Sequence, residues 1–318
     1  MFKFKEPCQK TKEIMSKVAS GEISDIDFEE SCIDKIRDLT GKDHVKITSS
    51  GNNSIFIAIS AIEGDIIIPD QGGWHGFKQI AKFLNKNIIT LKTDLGLINP
   101  DYIDELDIKE DSALMYTSFA GYCAEQDTEA ISKYCKNNNI ITIEDASAGI
   151  GDKENRLGMH SDIVLASTGS PKIINVGSGG FISTNNEEFF NKTKLPQKLS
   201  KASQIVCSGI DSELEDVSKK LELTVNATEY LKKHLDDAIH ADKRGVNVII
   251  PHDDAKSISW NLKKTLATEK SGFITTCPNY NRIKQKAIAV EIKNLDYSCL
   301  KKEDLDKIIE ELKINNLQ

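Results

Sequence analysis

Lysines are common in this chain, but Lys172 stands among small residues, in the run Ser167-Thr168-Gly169-Ser170-Pro171-Lys172. A lysine that loses solvation there would have a lowered pKa and could attack an aldehyde. Asp145, in Glu144-Asp145, ends the apolar run 140–143. A carboxylate at such a place costs desolvation unless it has a partner, and a ring N–H such as that of a pyridinium is one. Ser49-Ser50-Gly51-Asn52-Asn53 lies between a strand and a helix, where backbone N–H groups and the helix dipole favour a phosphate. Pro69-Asp70-Gln71-Gly72-Gly73-Trp74-His75 brings two glycines before an aromatic pair, which could present a flat side chain to a ring. Each piece has an ordinary alternative: a solvated lysine, a turn Asp, an N-cap Ser or Asn, a core Trp beside a surface His. The order and spacing of the set set it apart.

The elements that must carry these residues alternate. Strands are read at 45–48, 66–68, 88–91, 113–116, 140–143 and 163–166, with helices at 54–62, 74–84 and 128–136. Short apolar strands between amphipathic helices predict a mostly parallel sheet covered on both faces. In such sheets ligands bind beyond the carboxyl ends of the strands, where the residues above fall. The fold class is α/β, with a large domain over residues 1–210, its helical N-terminal segment included. A smaller α+β domain follows over 211–318. A polar stretch, 185–212, leads into one long helical pattern at 213–240, then strands at 246–250, 273–276 and 287–292 and helices at 255–266 and 303–312.

Taken together, these pieces resemble the fold-type I pyridoxal 5′-phosphate (PLP) enzymes, most closely the DegT-type sugar aminotransferase family. The resemblance runs from about Phe28 to Thr184 and rests on Phe28-Glu29-Glu30, Thr48-Ser49-Ser50-Gly51, Gly64-Asp65 with Pro69, Ile143-Glu144-Asp145-Ala146, and Ser167 through Lys172 to Gly179-Gly180. It implies that Lys172 binds PLP as a Schiff base and that Asp145 pairs with the pyridine nitrogen. Gly51, Asn52 and Ser167 would hold the phosphate, and Trp74 would stack on the ring, with His75 as its rival. The implied activity is an aminotransferase taking a small amino donor and a small carbonyl acceptor, such as a keto sugar nucleotide, and working as a homodimer. Where the family has Gln three residues after the cofactor Asp, this chain has Ala148. The family's Asn-Tyr-Arg segment after the glycine pair has no counterpart in 185–212. The dehydrating variant of the family carries His in place of the lysine, and Lys172 argues against that chemistry.

Composition narrows the field. At 318 residues the chain is ordinary for a soluble globular protein, with 39% hydrophobic and 28% charged residues. A net charge of −8 argues against a general nucleic-acid binder. The seven cysteines form no C-x-x-C pair and are read as reduced thiols. No metal-ligand spacing stands out. The first residues lack the apolar run of a signal peptide, and no stretch reaches membrane-spanning length, so a cytoplasmic protein is expected. With only Arg37, Arg156, Arg244 and Arg282 present, a bidentate grip on a substrate anion has few candidates. Arg282, beside Tyr280 in a loop between two strands, is expected to contact the substrate, and Arg244 competes for that role. Two further functions stand beside the aminotransferase: a PLP-dependent lyase or sulfur-transferring enzyme with Cys123 or Cys277 carrying sulfur, and a PLP-binding protein without turnover.

Overall fold

The computed structural model describes residues 1–269 and 272–317. Two helices open the chain, α1 (Gln9–Ala19) and α2 (Phe28–Thr40). Asp27 caps α2 by accepting from the backbone N–H of Glu29 and Glu30, and Gly41, at φ 65°, ends it in the left-handed region. There follow β1 (His44–Thr48), α3 (Gly51–Ala61), β2 (Ile66–Pro69), α4 (His75–Phe83), β3 (Ile88–Leu91) and β4 (Ala113–Thr117). A short hairpin of β5 (Phe119–Ala120) and β6 (Ala124–Glu125) precedes α5 (Thr128–Asn137), β7 (Ile141–Asp145), β8 (Ile163–Ser167) and β9 (Gly180–Thr184).

The large sheet has the order β1-β9-β8-β7-β4-β2-β3. Strands β8, β7, β4, β2 and β3 run parallel, while β9 lies antiparallel to both β8 and β1. Strands β2 and β4 are buried along their whole length, as expected of a sheet with helices on both faces. The register brings Thr117 opposite Asp145, and Ser167 opposite Gly180, which in turn faces Thr48. The carboxyl ends of β4, β7 and β8 therefore open on one edge of the sheet.

Beyond β9 the structure departs from the sequence reading. The polar stretch 185–212 holds α6 (Glu187–Lys192), α7 (Lys194–Leu199) and most of α8 (Gln204–Leu214). Helix α6 buries Phe189 and α7 buries nothing, so their apolar periodicity is too thin to stand out, whereas α8 buries Cys207, Ile210 and Leu214. The long helical pattern breaks into α8 and α9 (Val217–Lys232), and α9 stops well before residue 240. At that end the Lys232 ammonium donates to the carbonyls of Cys123, His240 and Lys243, drawing the chain into a loop. The rest comprises β10 (Val248–Pro251), α10 (Ala255–Thr265), β11 (Ile274–Cys277), β12 (Ala287–Val290) and α11 (Lys302–Ile314), with a small antiparallel sheet ordered β10-β12-β11.

Helix α9 joins two apolar cores. Val217, Leu221 and Val225 pack with Phe28, Ile47, Val164 and Phe181, whereas Ala227 and Leu231 pack with Val248, Ile288 and Ile308. Phe2 belongs to the second core, and Phe2 and Phe4 make backbone bridges to Thr268 and Leu295. The first residues, expected with the large domain, thus lie against the C-terminal part. Among the described residues no helix is long and apolar enough to cross a membrane, and no group of three His, Cys, Asp or Glu side chains is placed to hold a metal.

Candidate active site

Lys172 lies in the loop between β8 and β9, where its backbone N–H donates to Gly169 O at 2.9 Å. Its amine reaches the hydroxyl of Tyr122 at 3.4 Å and lies 5.8 Å from the centre of the Trp74 ring. Burial pulls the amine down, but Tyr122 and the Asp145 carboxylate outweigh it, and the pKa rises above its ordinary 10.5. The expected lowering is therefore not found. Small neighbours do remove solvent, but the tertiary fold adds acidic partners that the local sequence does not reveal.

Asp145 closes β7 and is buried. Its Oδ1 accepts from the backbone N–H of Ser147 at 3.0 Å and from the Ser147 hydroxyl at 2.5 Å. Its Oδ2 has no hydrogen-bond donor among the described residues. Burial raises the carboxyl's pKa, opposed by Lys172 and by both Ser147 donors. Glu144, one residue earlier, points to the opposite face of the strand, as the pleat requires. It accepts there from the Ser118 hydroxyl and the Gly158 N–H.

Ser147 also ties Asp145 to the end of β8, since its Oγ accepts from the Ser167 N–H at 2.7 Å. Ser167 Oγ accepts from the Gly169 N–H at 3.2 Å. Gly51, the first residue of α3, packs so closely that a Cβ there would lie 2.4 Å from the Ser167 Cβ. The N-terminus of α3, capped by Ser50, is thereby pressed against the end of β8. The exposed Asn52 accepts from the Trp74 indole N–H at 3.2 Å. Gly76 admits that indole, because a Cβ on it would come within 2.4 Å of Trp74 Nε1.

His75 faces elsewhere. It is exposed, its ring lies 5.2 Å from that of Tyr280, and its backbone N–H donates to Asn281 Oδ1. Trp74 has extended backbone at the helix N-cap while His75 begins α4, so the two side chains diverge. The structure brings Trp74 together with Lys172 and leaves His75 against the C-terminal part.

Arg282 approaches the site with its guanidinium already engaged. Nε donates to Glu291 Oε1 at 2.7 Å, Nη2 to Glu291 Oε2 at 2.6 Å, and Nη1 to Asn281 O at 2.7 Å. The fork expected to grip a substrate anion is occupied by a protein carboxylate. Arg244 is likewise paired, with Glu125 and Asp152. The Cys123 and Cys277 thiols are buried, and burial pushes the first up to about 11 and raises the second. Ala148 packs into the apolar core around Phe119 and Leu157.

Two residues at the site escaped the sequence reading, Ser147 and Tyr122. Ser147 had a signal, a hydroxyl two residues after the strand-ending Asp. Tyr122 follows a glycine in a turn after β5, with nothing local to link it to residue 172.

Residues 8–217 match the model of the DegT/DnrJ/EryC1/StrS aminotransferase family, and the chain belongs to that family. Residues 218–313 match the model of the MJ1341 family C-terminal domain. A UDP-4-amino-4,6-dideoxy-N-acetyl-beta-L-altrosamine transaminase of Campylobacter jejuni is 26% identical over 194 residues, 58% of this chain and 50% of that protein. The chain spans at most half the length of the curated relatives it matches. Among solved structures, Helicobacter pylori PseC, an aminotransferase involved in the biosynthesis of pseudoaminic acid, superposes with a TM-score of 0.80 at 13% identity, covering 99% of this chain and 98% of that one. NtdA of Bacillus subtilis, solved with bound cofactor PMP, does so with a TM-score of 0.72 at 18% identity, covering 97% and 82%. The architecture is that of these solved structures.

Proposed function

We propose that this member of the family is a PLP-dependent aminotransferase, moving an amino group between a small amino donor and a small carbonyl compound. The observation that carries the reading is Asp145. Its buried carboxylate has one oxygen held by Ser147 and one without a donor among the described residues; burial raises its pKa, and the Lys172 amine and Ser147 oppose that rise. A protonated ring nitrogen satisfies that free oxygen, so the residues present fit the cofactor. In this reading Lys172 holds the cofactor covalently, Trp74 covers the ring, and Gly51, Asn52 and Ser167 hold the phosphate at the start of α3.

When bound, PLP supplies an electron sink for the carbon being deprotonated. The chain's residues do the rest. Asp145 keeps a proton on the ring nitrogen, and its burial strengthens that interaction. The Lys172 amine, once free of the cofactor, takes the proton from the amino donor's carbon and returns one at the product carbon. The small acceptor would be a keto sugar nucleotide, as the name of the Campylobacter relative suggests. Arg282, committed to Glu291, supports the site from the C-terminal part and does not grip the substrate. A division near residue 210, a homodimer and a cytoplasmic location belong to the same reading.

The sulfur-transfer reading is weaker, because the raised thiol pKa values of Cys123 and Cys277 leave little thiolate at neutral pH. A binder without turnover would use the same Asp145 and Lys172 contacts to hold the cofactor, and only a half-reaction separates it from an enzyme. The test is to mix purified, PLP-loaded protein with single amino acids and follow the visible absorption. Conversion to the pyridoxamine form is expected. Release of sulfide, or no change with any donor, would overturn the reading in favour of a lyase or a binder respectively.

A further inference from the structure

We infer that Tyr122 is a catalytic partner of Lys172, its hydroxyl holding the amine in place in both of the amine's protonation states. The inference rests on the lysine role proposed above.

The backbone gives the first sign. In the turn 120–123, the Cys123 N–H donates to Ala120 O at 2.9 Å, with positive φ at both central residues, 54° at Gly121 and 66° at Tyr122. This φ pattern belongs to type I′ turns, which favour Gly, Asn and Asp at such positions and disfavour a bulky aromatic. A tyrosine persists there only where its surroundings over-determine it. Here the Tyr122 carbonyl accepts from both Val246 and Asn247 N–H at 2.9 Å. The strained residue is thereby pinned to the C-terminal part of the chain.

The ring gives the second. The Arg282 guanidinium sits 4.5 Å from its centre and the Lys293 ammonium 4.9 Å. Both cations are fixed by the buried Glu291, Lys293 at 3.0 Å. The ring therefore packs against this pair of cations with its hydroxyl toward Lys172, 3.4 Å from the amine. No other hydrogen-bond partner of that amine occurs among the described residues. The contact is long, as catalytic hydrogen bonds often are before substrate binds.

A phenol suits the task because it both donates and accepts. Facing an ammonium, the oxygen accepts an N–H. Facing a neutral amine, the O–H donates to the nitrogen lone pair. The phenol keeps its own proton in both arrangements, so the geometry survives the loss or gain of the amine's proton. The charged and titratable groups around the amine are Asp145 on β7, Tyr122 in the hairpin turn, and Arg282 and Lys293 from the C-terminal part. Tyr122 and Asp145 raise the amine's pKa, and Arg282 opposes them.

Tyr122→Phe keeps the ring against its cations and removes only the hydroxyl. With the full chain stripped of cofactor, the rate of PLP capture is followed by absorbance against pH. The wild-type rate should rise with pH as the amine loses its proton, and the Tyr122→Phe profile should lie at lower pH. In the cofactor-loaded protein, the half-reaction with an amino donor should slow roughly 10- to 100-fold, the loss expected of one hydrogen bond to a charged group. Tyr122→His, which restores a donor and acceptor, should recover part of the rate. Unchanged capture profile and unchanged half-reaction in Tyr122→Phe, with wild type capturing PLP on Lys172, overturn this inference and leave the proposed function standing. A wild-type chain that captures no PLP overturns both.

Discussion

Glu291 takes the Arg282 guanidinium in a two-point fork, at 2.7 and 2.6 Å, and with the same carboxylate holds Lys293 at 3.0 Å and accepts from the Asn247 and Thr275 side chains. One buried anion thus holds the buried Lys293 and the half-buried Arg282. Burial works against the charged carboxylate, but Lys293 and Arg282 prevail and hold it well below the usual carboxylate range. Glu291→Gln should destabilise the protein by about 3–5 kcal/mol at neutral pH, because it leaves the cations uncompensated. A depressed carboxyl contributes stability above its unfolded value, about 4.3, and loses it as pH falls toward the folded value. Urea unfolding of wild type and Glu291→Gln should therefore converge below about pH 4.3. A gap independent of pH would mean the carboxylate's charge is not what matters.

Borohydride reduction of the PLP-loaded protein should fix a pyridoxyl group on the peptide containing Lys172, and Lys172→Ala should show none. Peptide mass analysis decides it. An adduct on another lysine would move the covalent role away from Lys172.

Asp145→Asn should keep its cofactor and lose turnover by on the order of 10²-fold or more, because a neutral amide cannot hold the ring nitrogen protonated. Absorbance at saturating PLP checks occupancy, and single-turnover kinetics the chemical step. Near-normal turnover would make the carboxylate a structural partner of Ser147 alone.

Trp74→Ala should weaken cofactor retention by up to about tenfold, the worth of an aromatic contact, while His75→Ala should leave it unchanged. Equilibrium dialysis against PLP measures both. The reverse order would assign the ring contact to His75, against the geometry of Trp74 and Lys172.

Glu144 tests the opposite electrostatic sign. Burial pushes its carboxyl up to about 7, although Ser118, Gly158, Ser161 and Lys42 all oppose the shift. Between its ordinary value of 4.5 and about 7 the folded chain keeps a proton that the unfolded chain has released. Wild-type stability should fall as pH rises through that window, by about 3 kcal/mol at most. Glu144→Gln should abolish this slope while keeping an acceptor for the Ser118 hydroxyl. Parallel stability curves for the two proteins would show that the carboxyl titrates normally.

What the sequence determined by itself is what neighbours along the chain decide. Short apolar strands with a period suited to two-sided burial announce the parallel sheet, and the residues ending them are fixed to its carboxyl edge by the pleat and by strand direction. That is enough to order Gly51, Asp145, Ser167 and Lys172 around one opening and to suggest a family. Tertiary structure alone decided the rest. Trp74 and His75 are adjacent, and only the start of α4 between them separates their directions. Helices α6 and α7, within 185–212, bury too little to leave a pattern. Arg282 is committed to Glu291, and Tyr122 meets Lys172 fifty residues away in the chain, its ring packed against cations from a third region. Charge and hydrogen bonding act through space over a few ångströms, so whether Lys172 has its pKa raised or lowered depends on residues that no local stretch of sequence brings beside it.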